Sequence, residues 1–202
     1  MDKIRYFDNA ATTCVRPEVL KEMIPYFEME YGNPSSIYSI GRRAKKAIED
    51  ARDKVANAIN AEPKEIFFTS CGSESDNLAI KGVAIANKNK GKHIITTKIE
   101  HPAVLETCKS LEKEGFEITY LNVDKNGKIN IEDLEKYIRS DTILISVMFA
   151  NNEIGTIEPI KQIGIVAKRH GVLFHTDSVQ AVRKCENRCE GFKYRLTFYV
   201  CS

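Results

Sequence analysis

The stretch Glu65–Lys81, EIFFTSCGSESDNLAIK, decides the fold. Ile66, Phe67 and Phe68 form a compact apolar run of β-prone residues that breaks at Ser70, which predicts a short buried strand over Glu65–Thr69. From Ser73 onward the pattern is helical: Ser73 reads as an N-cap, Glu74 and Asp76 fall in the first turn, and Leu78, Ala79, Val83 and Ala86 recur at helical spacing. Gly72 marks the turn between the two. A strand that runs into a helix through a tight Gly/Ser turn aims unpaired backbone N–H groups, and one or two hydroxyls, at a single spot suited to a phosphate. The stretch contains neither a G-x-G-x-x-G fingerprint nor a P-loop, so an ordinary βα turn with a capped helix accounts for the same residues.

Upstream, Ile4–Phe7 reads as a short strand and Asp8–Thr13 as a polar loop of small residues. Pro17 can open a helix that carries Val19, Leu20, Met23 and Ile24 inward. Tyr31–Ser36, YGNPSS, has strong turn chemistry, and Ile40, Ala44, Ala47, Ile48, Ala51, Val55, Ala58 and Ile59 mark a long amphipathic helix ending near Asn60. Downstream, strands are predicted at His93–Thr97, Glu117–Leu121, Thr142–Met148 and Val172–Thr176, separated by helix-length segments that end near Ala86, Leu111, Ile138 and His170. Such alternation implies right-handed βαβ crossovers, hence an α/β fold with a mostly parallel sheet and helices on both faces.

In sheets of this kind ligands sit beyond the carboxyl ends of the strands. The residues there are Gly72-Ser73, then Glu100-His101-Pro102, then Ala150-Asn151-Asn152-Glu153, and finally His175, Asp177 and Gln180. Singly, each has an ordinary explanation: His101 before Pro as a helix start, Asn151-Asn152 as a turn, Asp177 as an N-cap. Together they describe a phosphate cup, a flat aromatic base, an amide and a carboxylate, the set needed by a phosphorylated heteroaromatic cofactor. Pyridoxal phosphate fits best, because a carboxylate beside its ring nitrogen keeps the pyridinium protonated.

With 43% hydrophobic content, the 202 residues can bury one good core, and a net charge of +2 is too small to argue for nucleic acid. No apolar run is long enough to span a bilayer and MDKIRYFDN is not a signal peptide, so a soluble cytoplasmic protein with no membrane partner is expected. The six cysteines, at positions 14, 71, 108, 185, 189 and 201, lack framework spacing and are expected to be reduced. Cys185 and Cys189 have no second Cys/His pair at ligand spacing, so no metal is assigned. Asn122–Asp133, NVDKNGKINIED, resembles an EF-hand loop at Asp124, Asn126 and Gly127, but begins with Asn, ends with Asp and follows a predicted strand.

The motifs DNAATT, YGNPSS, FTSCGSESDNLAIKG, EHPAV, FANNEIGTIEPI and FHTDSVQ, in register from Tyr6 to Val182, closely resemble the cysteine desulfurases of the NifS/IscS type, in the class V aminotransferase group. The resemblance implies the large domain of the pyridoxal phosphate fold type I enzymes. It also implies a homodimer that converts L-cysteine to L-alanine and an enzyme persulfide, supplying sulfur to an acceptor or iron–sulfur scaffold protein. Carried over by motif, Gly72 and Ser73 would hold the cofactor phosphate, and His101 would stack on the pyridine ring and could shuttle protons. Asn152 would contact the ring-oxygen side and the substrate, Asp177 the pyridine nitrogen and Gln180 the phenolic oxygen. Cys71 stands where the family usually has Gly, and Ser73 where it usually has Thr. Selenocysteine lyases and other class V members are the near alternatives; a non-catalytic fragment that pairs with an intact homologue is the alternative from another class.

The resemblance divides the chain into an N-terminal segment, 1–30, that would pack on a C-terminal small domain, a partial cofactor-binding domain, 31–182, and a tail, 183–202, without the family pattern. The family's Schiff-base lysine and persulfide-forming cysteine would follow the tail, so a truncated chain without autonomous activity is expected, with an open sheet edge that favours aggregation. Lys184–Ser202 can be back-translated so that the next reading frame gives NVKIDVKDLNIDLLSMSAH, which is family-like, and this points to a single-base insertion near the codon of Arg183.

Overall fold

The computed structural model describes residues 5–181 and 197–200. They fall into two compact units, Met1–Phe68 and Thr69–Ser202.

In the first unit α1 spans Pro17–Glu28, with Pro17 supplying the pre-set φ of the first turn. None of its residues is buried, so the expected inward packing of Val19, Leu20, Met23 and Ile24 is not realised here: the stripe exists, but among the described residues nothing covers it. Helix α2 spans Ser39–Ile59 and stops at Asn60, which takes the left-handed conformation (φ 57°) tolerated by Asn. Its start is locked to the preceding turn at Gly41, where a Cβ would lie 2.5 Å from the Ser36 carbonyl oxygen.

The strand expected at Glu65–Thr69 is not formed. Pro63–Glu65 is a 3-10 turn closed by the Glu62 N–H donating to Glu65 Oε2 at 2.8 Å. Ile66 is extended, yet the segment joins no sheet, and Phe67 and Phe68 remain 75% and 52% exposed. An apolar extended run becomes a strand only when a neighbour pairs with its backbone, and β-propensity cannot supply that neighbour. Arg52 partly substitutes, donating to the Ile66 carbonyl and setting its guanidinium 5.0 Å from the centre of the Phe68 ring. Arg5–Phe7 likewise forms no strand; Ile4 lies outside the described residues.

The second unit is the predicted α/β sandwich. Its elements are α3 (Gly72–Asn87), β1 (His93–Thr97), α4 (Pro102–Lys113), β2 (Glu117–Leu121), α5 (Ile131–Tyr137), β3 (Thr142–Ser146), α6 (Ile160–His170), β4 (Leu173–Asp177) and β5 (Thr197–Val200). All pairings are parallel, in the order β2-β1-β3-β4-β5. β1 and β3 are buried along their whole length, as expected for a sheet covered on both faces. Successive strand residues point to opposite faces. Ile94 and Leu144 therefore pack with Ile80, Val83, Val104 and Leu111 of α3 and α4, while Ile95, Ile145 and Phe174 pack with Leu134, Ile163 and Val166 of α5 and α6. β5 lies along the edge of β4 where an open edge was expected; the rest of the tail, including Cys185 and Cys189, is outside the described residues.

Asn130 starts α5 by accepting from the N–H groups of Glu132 (2.7 Å) and Asp133 (3.2 Å). Asn130→Ala is expected to cost about 1 kcal/mol, read as a lower denaturant midpoint at unchanged slope. The EF-hand-like loop is a tight turn. Asp124 Oδ1 accepts from the N–H groups of Asn126 (2.8 Å) and Lys128 (2.9 Å), so the first candidate calcium ligand is already committed to the backbone.

Candidate cofactor site

The site is assembled at the carboxyl ends of the second unit's strands. Helix α3 begins immediately after Cys71, and the first backbone bond into it is from Ser75 N–H to the Cys71 carbonyl, at 3.2 Å. The N–H groups of Gly72, Ser73 and Glu74 thus have no backbone acceptor and form the positive end of the helix. Ser73 is inside the helix rather than its N-cap, a correction to the sequence reading. The local competition is won by Glu74, whose Oε2 accepts from Ser70 N–H (2.7 Å) and Ser70 Oγ (2.6 Å), fixing the loop without a Ser73 cap. The exposed Cys71 thiol is held below the ordinary thiol pKa, chiefly by the Glu74 amide, then by the Ser70 hydroxyl and the Ser73 amide.

His101 caps α4: the Ala103 N–H donates to its Nδ1 at 3.1 Å, which places the proton of the neutral ring on Nε2 and leaves that edge exposed. The neighbouring Glu100 is only 4% exposed. Its Oε1 accepts from Thr97 Oγ1 (2.6 Å) and Met148 N–H (3.0 Å), while its Oε2 has no partner. Burial, with the nearby Asp177 and Asp76 charges adding to it, pushes the Glu100 carboxyl up to about 8.

The two adjacent asparagines divide their work. Asn151 builds the loop, donating from Nδ2 to the Ile99 carbonyl (3.0 Å) and accepting at Oδ1 from the N–H groups of Glu153 (2.9 Å) and Ile154 (3.0 Å). Asn152 is half-buried, and its amide is not used in that loop.

Asp177 ends β4 at 8% exposure, with Oδ1 accepting from Val179 N–H at 3.0 Å. Burial raises its pKa, Asp76 raises it further, and His175 and His101 partly offset the shift. Gln180 follows, half-buried. Two residues before Asp177, and so on the same sheet face, His175 bonds through Nδ1 to Ser146 Oγ (2.8 Å). Its Nε2 stands 3.4 Å from Asp76 Oδ1, at ion-pair range but not aligned as a hydrogen bond.

All six predicted site residues therefore lie on one rim. Asp76 was missed as a site residue, although a signal existed: it shares the α3 face of Ile80 and Val83, so a carboxylate sits on an apolar stripe. A separate cavity of about 400 Å³, lined by Asn87, Arg139, Thr142 and His170 among others, opens at the opposite ends of β3 and β4, away from this rim.

The aminotransferase class-V family model matches residues 5–193. The chain belongs to the class-V aminotransferase family. The match runs beyond Val182, where the motifs end. Cysteine desulfurase IscS of Clostridium botulinum (strain Hall) is 60% identical to this class-V aminotransferase over 182 residues, 90% of this chain and 46% of the relative. Cysteine desulfurase IscS of Methanosarcina thermophila is 61% identical over 181 residues, 90% and 45% of the two chains. Among solved structures, a NifS-like protein superposes with a TM-score of 0.84 at 47% identity, covering 87% of this chain and 48% of its own. SspA in complex with cysteine gives 0.85 at 44%, covering 88% and 51%. This class-V aminotransferase is thus similar to IscS/NifS-like cysteine desulfurases, has the large-domain fold of pyridoxal phosphate fold type I, and spans about half the length of the curated relatives it matches.

The rim fits a phosphorylated pyridine. It offers α3 amides that have no backbone acceptor and, beside them, buried polar atoms without partners: Asp76 Oδ1, Glu100 Oε2, His175 Nε2 and Ser178 Oγ. Buried groups of this kind are normally satisfied, and a ligand with both anionic and cationic ends would complete them. Among the described residues no helix is long and apolar enough to cross a membrane, and no three His, Cys, Asp or Glu side chains converge as a metal site.

Proposed function

We propose that this chain forms the pyridoxal phosphate site of a cysteine desulfurase, which takes sulfur from L-cysteine, leaves L-alanine and passes the sulfur to an acceptor protein. The observation that carries this reading is the Asp177 carboxyl, buried at the end of β4 with one oxygen on a backbone amide and no Lys or Arg among the described residues paired with it. Such a carboxylate suits a cationic partner, and a ring N–H⁺ supplies one. The cofactor, when bound, provides an electron sink at the substrate α-carbon. The amides of Gly72 and Ser73 and the Ser73 hydroxyl hold the phosphate; His101 presents its ring face and an Nε2 that can hold or release a proton. Asn152 and Gln180 address the ring-oxygen side. Cysteine as substrate is supported by the structural relative solved in complex with it. A homodimer is proposed by the same kinship.

The test uses Cys71 as a reporter, because its thiol draws on the Ser73 amide, one of those assigned to the phosphate, and on the adjoining Glu74 amide. Saturating pyridoxal phosphate is expected to slow iodoacetamide labelling of Cys71 about tenfold or more, with the labelled peptide identified by mass mapping and the exposed Cys14 as an unprotected control. Equal labelling of Cys71 with and without cofactor would overturn the reading.

A further inference from the structure

Three buried carboxyl groups lie within electrostatic reach of one another at the rim: Asp76 from α3, Glu100 after β1 and Asp177 at the end of β4. Facing them, the titratable groups are His175 on β4, His101 at the start of α4 and the buried Cys108 within α4. No Lys or Arg among the described residues pairs with any of the three, and the one ion-pair distance is His175 to Asp76. Burial and the mutual repulsion of neighbouring carboxyl groups favour the neutral form of at least one of them. Burial pushes the Glu100 carboxyl up to about 8, and its Oε1 accepts from Thr97 Oγ1 and Met148 N–H, two bonds that a neutral carboxyl keeps.

Glu100 also spans two segments. Through Oε1 it ties the end of β1 (Thr97) to the backbone after β3 (Met148 N–H), and Asn151 closes a second tie back to the Ile99 carbonyl. His101 and Asn152 are the next residues along these two segments. We propose that Glu100, held as a neutral carboxylic acid, works with Asn151 as a two-point clamp that positions His101 and Asn152 against the cofactor ring. The clamp rests on the reading of those two residues as cofactor contacts. Neutrality is part of the device: an ionised Glu100 would be repelled by the neighbouring Asp177 and Asp76 charges. That repulsion sets in as pH rises through about 8.

Glu100→Gln keeps an acceptor oxygen and zero charge, whereas Glu100→Ala keeps neither bond. In pyridoxal phosphate titrations near neutrality, the Gln variant is expected to bind within about threefold of wild type and the Ala variant about tenfold or more weaker. Wild type should lose affinity as Glu100 ionises, while the Gln variant keeps a flatter pH profile. Equal binding by wild type and a folded Ala variant, or matching pH profiles for wild type and the Gln variant, would overturn the clamp. Two measurements need no cofactor. An infrared band of a protonated carboxyl should be present near neutrality, bleach as pH passes about 8, and be missing in the Gln variant. Amide exchange at Met148 should be slow in wild type and the Gln variant and fast in the Ala variant. If wild type binds no pyridoxal phosphate, the cofactor reading fails and these two still decide the clamp: absence of the band, or equal Met148 exchange in all three proteins, overturns it.

Discussion

Asp177→Asn is expected to weaken pyridoxal phosphate binding by about two orders of magnitude. Asn matches Asp in shape and can still accept from Val179 N–H, so the change isolates the charge. Removing one member of a buried ion pair typically costs about 3–5 kcal/mol, because the remaining charge is left uncompensated in a site closed to water. Here that remaining charge is the ring N–H⁺ of the bound cofactor. The same substitution has the opposite sign in the cofactor-free protein. The folded-state pKa of Asp177 is raised, so the fold binds its proton more tightly than the unfolded chain does, and the stability from this group falls as pH rises from the ordinary Asp range through the folded pKa. Above the ordinary Asp range the buried carboxyl therefore costs stability, and the Asn variant should be no less stable than wild type without cofactor. Equilibrium dialysis gives the first quantity and denaturant unfolding the second. Unchanged affinity with a stable variant would remove Asp177 from the site.

Leu144→Ala is expected to destabilise the protein by about 2–5 kcal/mol. Leu144 is fully buried on β3, in the middle of the sheet, within the cluster formed by Ile80 and Val83 of α3, Ile94 of β1 and Leu111 of α4. Strands flank it on both sides and two helices cover its face, so the cavity left by Ala has little freedom to collapse. Against a total stability of about 5–15 kcal/mol the loss is large, and it should appear as a lower denaturant midpoint with the slope retained. A cost below about 1 kcal/mol would mean that the α3–α4 face is not closely packed. The outcome also bears on the site, since α3 carries both the Gly72–Glu74 amides and Asp76 on this face.

The sequence by itself determined the features governed by neighbours along the chain. Pro17 and Pro102 open helices, Asn60 ends one in the left-handed conformation, and the alternation after Gly72 could yield only a parallel sheet with His101, Asn152 and Asp177 at or just beyond the carboxyl ends of its strands. Short-range sterics and hydrogen bonds set these, and they are written in consecutive residues. Tertiary structure decided whatever depends on a distant partner. Among the described residues, Ile66–Thr69 has strand composition but no strand beside it, and the apolar stripe of α1 has no cover. Asn151 rather than Asn152 became the loop's fastening because the Ile99 carbonyl, far away in sequence, lies within its reach. Glu100 and Asp177 are ordinary carboxyl groups in the sequence; the upward shift of each is set by burial and by neighbouring charge, and these exist only once α3, β1 and β4 are packed together.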